Sequence, residues 1–262
     1  MTQRPRHRTS RFLLELDPDL GARLAPGEWE RARQAVRGRP VALQGGACDL
    51  RALTEDGAPL LGFLVIDGMI CHEAMLADRR LIEFIGPGDI LQPAERNAPP
   101  GVRGVGEPSL TVINDAVVVA LGSAFIRAAT RWPPLLLEAV ARLERRRARL
   151  AAQALIVHLP QARDRLLLIL RHLGERWGRV TPDGLHLPLR LTHDLLGQLI
   201  AARRPTVTLA IRELEAEHHV GRREDGSWVL TERGQEAIAR IAADGAGPGL
   251  NPHLASAHRF VV

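Results

Sequence analysis

Hydrophobic positions in this chain of 262 residues change their rhythm along the sequence. From about 39 to 121 they come in short runs: PVALQ, PLLGFLVIDG, MICHEAML, RLIEFIGPGD, SLTVIND and AVVVALG. Gly, Pro, Asn and Asp separate them. Alternation at period two is patchy, but the run lengths and the pairs Asp67-Gly68, Gly88-Asp89 and Asn114-Asp115, read as turns, predict a small all-β unit. Short strands at near-regular spacing point to a sandwich or roll. Ahead of them, GEWERARQAVR over 27–37 predicts a short helix, and residues 1–11, with four arginines and no acid, read as a disordered basic arm.

The pattern then changes to helical spacing. Pro133-Pro134 can open a helix, where a missing N–H costs nothing. From Leu135 to about His158 there is no Gly or Pro. Leu136, Leu143, Leu150 and Val157 are spaced seven apart, and Val140, Arg147 and Ala154 lie four beyond the first three. Such an a/d stripe suits a dimer seam better than one face of a globular core, although a helix packed only on its own domain gives a similar pattern. Arg147 interrupts the stripe. A cation there needs Glu144, a glutamate of a partner helix or an anionic ligand beside it.

Pro160 breaks that helix. QARDRLLLILRHL over 161–173 predicts another, ended by Gly174. RVTPDGLHLPLRL reads as two strands around a Pro-Asp-Gly turn. In LTHDLLGQLIAARRPTVTLAIRELEAEHH (191–219), Thr192 is a natural N-cap, and Leu195, Leu196, Leu199 and Ile200 form an apolar face. A second helix follows from Arg204 to about His218 and buries Val207, Ala210, Ile211 and Leu214. Two short helices joined by about three residues make a helix-turn-helix. VGRREDGSWVL then predicts a β-hairpin wing. Thr231 would cap a last helix of about ten residues, and the Gly/Ala/Pro-rich tail from Asp244 reads as flexible.

Composition removes several chemistries. All 35 basic residues are arginine, and tyrosine is absent. No lysine Schiff base, P-loop lysine, Ser-Lys pair or tyrosine nucleophile is available. No run approaches a membrane span, and MTQRPRHRTSRF lacks an apolar signal core. Cys48 and Cys71 are too few for a disulfide scaffold or an iron–sulfur cluster and suit a reducing cytoplasm. Cys71-His72 could ligate metal or haem, but neighbours on a strand face opposite ways, so a buried thiol beside a surface imidazole is preferred. No metal and no cofactor is expected. Asp78 and Glu83 look like ordinary surface charges, and Arg79-Arg80 with Arg96 and Arg103 like solvated surface rather than an anion site. His218-His219 suits a helix cap better than a ligand pair.

Net charge is +5, yet residues 124–180 hold twelve arginines against four acids, whereas 181–262 hold nine against ten. DNA binding by the C-terminal part must therefore rest on placement. Arg203, Arg204, Thr206, Thr208 and Arg212 lie at the start or off the buried face of the second helix, where side chains can reach base edges and phosphates. Thr192 and the wing residues Arg222 and Arg223 complete the candidate contacts. The Arg145–Arg149 cluster would add non-specific attraction or solvate the long helix.

This order of parts, with LTHDLLGQLIAARRPTVTLAIRELE and FLVIDG…LIEFIGPGDIL, resembles the CRP/FNR-type bacterial transcription regulators over about 30–240. The resemblance implies an α+β chain with an N-terminal β-roll (a cyclic-nucleotide-binding-like jelly roll), a long dimerisation helix and a C-terminal winged helix-turn-helix. The expected divisions are a lead-in over 1–26, roll 27–124, dimer helix 125–159, DNA-binding domain 160–243 and tail 244–262. The implied function is that of a cytoplasmic homodimeric regulator reading a two-fold symmetric site in double-stranded DNA, with RNA polymerase as a further partner. The resemblance implies no enzymatic activity.

Thr192, Arg204, Thr206, Val207 and Thr208 match the family's motif, in which the arginine at Arg204 contacts a base. Ala201 replaces its turn glycine, Arg203 its small hydroxyl cap, Pro205 a frequent Glu and Leu209 a frequent Arg, so the operator should differ. The phosphate-gripping Gly-Glu and Arg-Ser/Thr are missing. Gly106 and Glu107 stand where the latter pair falls, and a carboxylate there opposes phosphate. Ala151-Ala152 stand near where a hydroxyl pair would meet the base. Cyclic AMP is therefore not the expected effector, and the effector is unknown. The near-neutral C-terminal part keeps an alternative open: a dimeric ligand-binding or protein-interaction module with vestigial DNA binding.

Overall fold

A computed structural model describes residues 6–7, 9–53, 60–76, 79–92 and 109–245. The chain divides into a unit of residues 1–152 and a unit of residues 153–262. The first contains β1 (Arg6–His7), β2 (Arg11–Phe12), α1 (Leu13–Leu16), α2 (Pro26–Ala35), β3 (Arg37–Gly38), β4 (Pro40–Leu43) and β5 (Gly46–Cys48). It continues with β6 (Phe63–Leu76), β7 (Arg79–Ile85), β8 (Ile90–Leu91), β9 (Ser109–Ala120), α3 (Ser123–Arg131) and most of α4 (Pro133–Ile156).

An antiparallel sheet in the order β1-β4-β9-β6-β7 curls into a roll, with β5 added to β9 and β8 to β6. Period-two alternation sorts its side chains. Phe63, Val65 and Val118 enter the interior with Val41, Ile70, Ile85 and Val112. Leu64 and Val119 face the other way, onto Leu13, Leu14, Phe125, Leu135, Ala139 and Leu143 of the helices.

Two expected turns are not turns. Asp67-Gly68 lies inside the 14-residue β6, and Asn114-Asp115 lies inside β9. They meet across the ladder, where the register slips between Val65 and Ile70. Gly68 has φ +82°, and a β-carbon there would run into the Asp115 carbonyl. A Gly-polar pair marks a bulge as readily as a turn. At the third pair the turn is real: Gly88 has φ +83°, and the Asp89 carboxylate accepts the Gly86 N–H at 3.0 Å. The basic arm is not wholly unstructured either. Arg6 and His7 pair with Ala42 and Val41, and Arg11 and Phe12 pair with Gly38 and Arg37.

The arginines of α4 correct the reading of a solvated cluster. Arg142 is buried and forms a two-pronged ion pair with buried Asp17, one arm at 2.9 Å. It also bonds Glu138 and the Gly88 carbonyl. Arg146 grips Glu83 through Nε at 2.6 Å and Nη2 at 2.7 Å, and Arg149 pairs with buried Asp89. Arg145 and Arg23 both bond Glu138. Glu83 is thus an interior anchor, not an ordinary surface acid. Burial pushes its pKa up, but hydrogen bonds from His72 and Arg146 outweigh that and hold the carboxyl below its ordinary value. Glu138 is held low in the same way, by Arg145 and Arg23 against its burial. No stripe count could find Asp17, Glu83 and Asp89, because they lie far from α4 in sequence.

The heptad stripe also meets a correction. Leu143 is 7% exposed, inside the helix-side core, and Val157 falls in the turn after α4. Leu136, Val140, Arg147 and Ala154 are exposed and Leu150 is half-buried. Arg147 meets Glu144 at 2.6 Å, one of the partners its position called for. The exposed apolar side chains include Leu137 (60%) and Leu155 (71%). Leu135-Leu136-Leu137 offers an apolar group in several directions, so spacing alone could not say which stripe faced inward.

The second unit holds α5 (Ala162–Trp177), β10 (Arg179–Thr181), β11 (Gly184–Leu187), α6 (His193–Leu199), α7 (Arg204–Ala216), β12 (Val220–Arg222), β13 (Trp228–Leu230) and α8 (Glu232–Gly245). Gly174 does not end α5, which runs on to Trp177 and closes where Gly178 N–H meets the Gly174 carbonyl. Gly174 is instead a packing glycine: a β-carbon there would lie 2.5 Å from Leu185 Cδ2. The two hairpins, far apart in sequence, share one sheet in the order β10-β11-β13-β12. Thr231 caps α8 by accepting Gly234 N–H, and the helix reaches Gly245, past the expected start of the tail. Residues 246–262, Asp78, Arg96, Arg103, Gly106 and Glu107 lie outside the described residues.

Candidate nucleic-acid interface

The site is a helix pair closed by two matching caps. Thr192 Oγ1 accepts Leu195 N–H at 3.2 Å and opens α6. At its end Ala202 N–H reaches the Gly197 carbonyl at 2.8 Å and Ala201 N–H the Gln198 carbonyl. Ala201 sits at φ 52° to close this Schellman turn. Arg165 Nη1 donates to the Ile200 carbonyl at 2.9 Å and secures the same corner. The end of α7 repeats the geometry: His218 takes φ 58° and His219 N–H reaches the Leu214 carbonyl at 2.8 Å. His218-His219 is therefore a cap in fact. Burial lowers the pKa of His219, which favours its neutral form.

An alanine in left-handed backbone carries a penalty that glycine does not. Ala201→Gly is expected to stabilise the second unit by about 1 kcal/mol, since the left-handed penalty exceeds the extra chain entropy glycine loses. Urea unfolding would measure it, and an unchanged or lower midpoint would show that no strain resides there.

Helix α7 buries Val207, Ala210, Ile211 and Leu214 and turns the opposite side outward. Arg203 occupies its N-cap position without a capping side-chain bond. Arg203, Arg204, Thr206 and Arg212 are all exposed. Arg204 lies 3.8 Å from Asp194, and neither Arg203 nor Arg212 has an ion-pair partner among the described residues. Thr208 departs from expectation. Its hydroxyl donates to the Arg204 carbonyl at 3.0 Å and stands 3.0 Å from His193 Nδ1. With its one proton committed, the hydroxyl can only accept from His193, so it ties α6 to α7 rather than presenting a donor outward.

On the wing, the Arg222 guanidinium lies 5.7 Å from the centre of the Trp228 ring, and Arg223 is paired with Asp183 at 2.9 Å. Arg222 is thus the freer of the two. Arg190 was missed by pattern reading. Its side chain lies near Gly226, at the wing turn, because β11 and β13 are neighbours. Leu209, also unremarked as a contact, is 60% exposed in the middle of the outward face of α7.

Among the described residues, the remaining candidates do not gather into a site. Cys71 is buried, its thiol pushed up to about 11 by burial first and Glu73 second, and His72 leans on Glu83 at 3.5 Å. Arg80 lies 3.8 Å from Glu73. No group of three metal-ligating side chains occurs, and no helix is long and apolar enough to cross a membrane, among the described residues.

No protein-family model and no curated protein matches the chain. Solved structures do. A CooA mutant from Carboxydothermus hydrogenoformans superposes with a TM-score of 0.59 at 16% identity, covering 92% of this chain and 98% of that one. FixK2 from Bradyrhizobium japonicum gives 0.56 at 16%, covering 78% and 96%. A CRP-family transcriptional regulator from Thermus thermophilus gives 0.53 at 17%, covering 77% and 96%. The chain has the CRP/FNR-type fold.

Proposed function

We propose that this protein is a homodimeric, sequence-specific DNA-binding transcription regulator. The observation that carries the reading is the outward face of α7, where Arg203, Arg204, Thr206 and Arg212 stand exposed on a helix whose other side is fully packed. Such a helix can enter a major groove, with Arg204 donating to guanine O6 and N7 and its neighbours holding phosphates. The wing residue Arg222, with Arg190 beside the wing turn, would follow the backbone. The regulators that share the fold support the same reading.

Dimerisation would bury the exposed apolar face of α4. Leu136, Val140, Arg147, Leu150, Ala154 and Val157 remain candidates from the heptad stripe, Leu137 and Leu155 join them, and Leu143 serves the fold of its own chain. RNA polymerase remains the further partner of such a regulator. The effector pocket is degenerate in this reading. Asp17, Glu83 and Asp89 face α4, and each is already bonded to one of its arginines.

Selection from a random DNA library, at stated salt, tests the proposal. The expected product is a two-fold symmetric site with half-sites about one helical turn, ~34–36 Å, apart. Binding without sequence preference would instead favour an interaction module whose DNA affinity is vestigial.

A further inference from the structure

The outward face of α7 is not purely cationic. At 100° per residue, the line opposite the buried stripe runs through Pro205, Leu209 and Ala216, with Arg204 and Arg212 toward one side. Leu209 is 60% exposed and stands one turn beyond Pro205. A leucine in the middle of a polar, charged helix face has no internal partner to account for it. In a major groove it would displace water from one base-pair edge without offering any hydrogen bond. Against guanine O6 and N7, or the cytosine amino group, that leaves buried polar atoms unpaired. Thymine is different, because it carries a 5-methyl group in that groove.

Resting on the proposed DNA-reading role of α7, we propose that Leu209 is a specificity-determining residue that recognises a thymine 5-methyl group in each half-site. Arg204 and Arg212, both to one side of this apolar ridge, supply charge that brings a polyanion onto the helix. Thr208, sealed by His193 and the Arg204 carbonyl, offers no competing hydroxyl beside Leu209.

The test uses the full-length protein and the site obtained by library selection. Each thymine is replaced in turn, symmetrically in both half-sites, by deoxyuridine, which removes only the methyl group. Binding is followed by fluorescence anisotropy for the wild type and for Leu209→Ala. Because Leu209 is exposed, the variant should fold, and circular dichroism would verify this. The wild type is expected to weaken about three- to fivefold per methyl lost at one position in each half-site, as for one buried methyl-sized group. Leu209→Ala should be insensitive to that replacement and keep the wild-type salt dependence, since phosphate contacts are untouched. A symmetric site with no methyl-sensitive thymine overturns the proposal and leaves the DNA-reading role standing. So does a sensitivity that persists in Leu209→Ala. A selection that enriches no site overturns both.

Discussion

Arg142→Met is expected to destabilise the first unit by about 3–5 kcal/mol, the cost of leaving a buried charge without its partner. Asp17 would retain only the Leu20 N–H as a described hydrogen-bond donor, at 3.0 Å, in a site left about 8% exposed. Methionine fills much of the lost volume, so a large effect would report the charge and not a cavity. Adding Asp17→Asn should recover part of the loss, because an amide is cheaper to bury unpaired than a carboxylate. Chemical denaturation of the two single variants and the double variant measures the coupling. Strictly additive effects would refute the pair's energetic role.

The same lattice sets an acid limit. Glu83 and Glu138 have carboxyls held below their ordinary value in the folded state. Their contribution is fully present above the unfolded-state pKa and is lost as pH falls through the lower folded-state pKa. The first unit should therefore weaken progressively from about pH 5 downward, where unfolded glutamates begin to take up protons, and chemical denaturation across a pH series would register it.

Arg204→Ala is expected to cost about 1–3 kcal/mol on the selected operator, roughly a 5- to 150-fold loss, while non-specific binding changes little. Arg204 lies in the first turn of α7, exposed, with Asp194 near enough to orient it and too exposed to neutralise it strongly. A base contact predicts relaxed preference at one base pair per half-site. A phosphate contact predicts uniform weakening with a shallower salt slope. Competition binding at two salt concentrations separates them, and the second pattern would remove Arg204 from the base-reading set.

Local signals in the sequence were enough for the helix-turn-helix. The Thr192 cap, the two apolar faces, the turn at Ala201 and the wing lie within about forty residues, and each uses interactions between near neighbours. The general order of roll, long helix and winged unit was legible for the same reason. Elements whose meaning depends on distant partners were not. Gly68 and Gly174 carry the same letter as a turn or a helix stop, yet one sits in a bulge and the other admits Leu185. Thr208 matches a phosphate-binding pattern, but its proton goes to the Arg204 carbonyl and its oxygen meets His193 of α6.

The arginine count shows the division most plainly. Sequence alone established that arginine is the chain's only long cation, that lysine chemistry is absent, and that a surplus lies around α4. Only the tertiary structure assigned three of those arginines, Arg142, Arg146 and Arg149, to buried carboxylates at Asp17, Glu83 and Asp89 and left Arg203, Arg204 and Arg212 outward. The reason is physical. A charge's role depends on which opposite charges fold next to it and how much water stays there, and neither is written in the spacing of one helix.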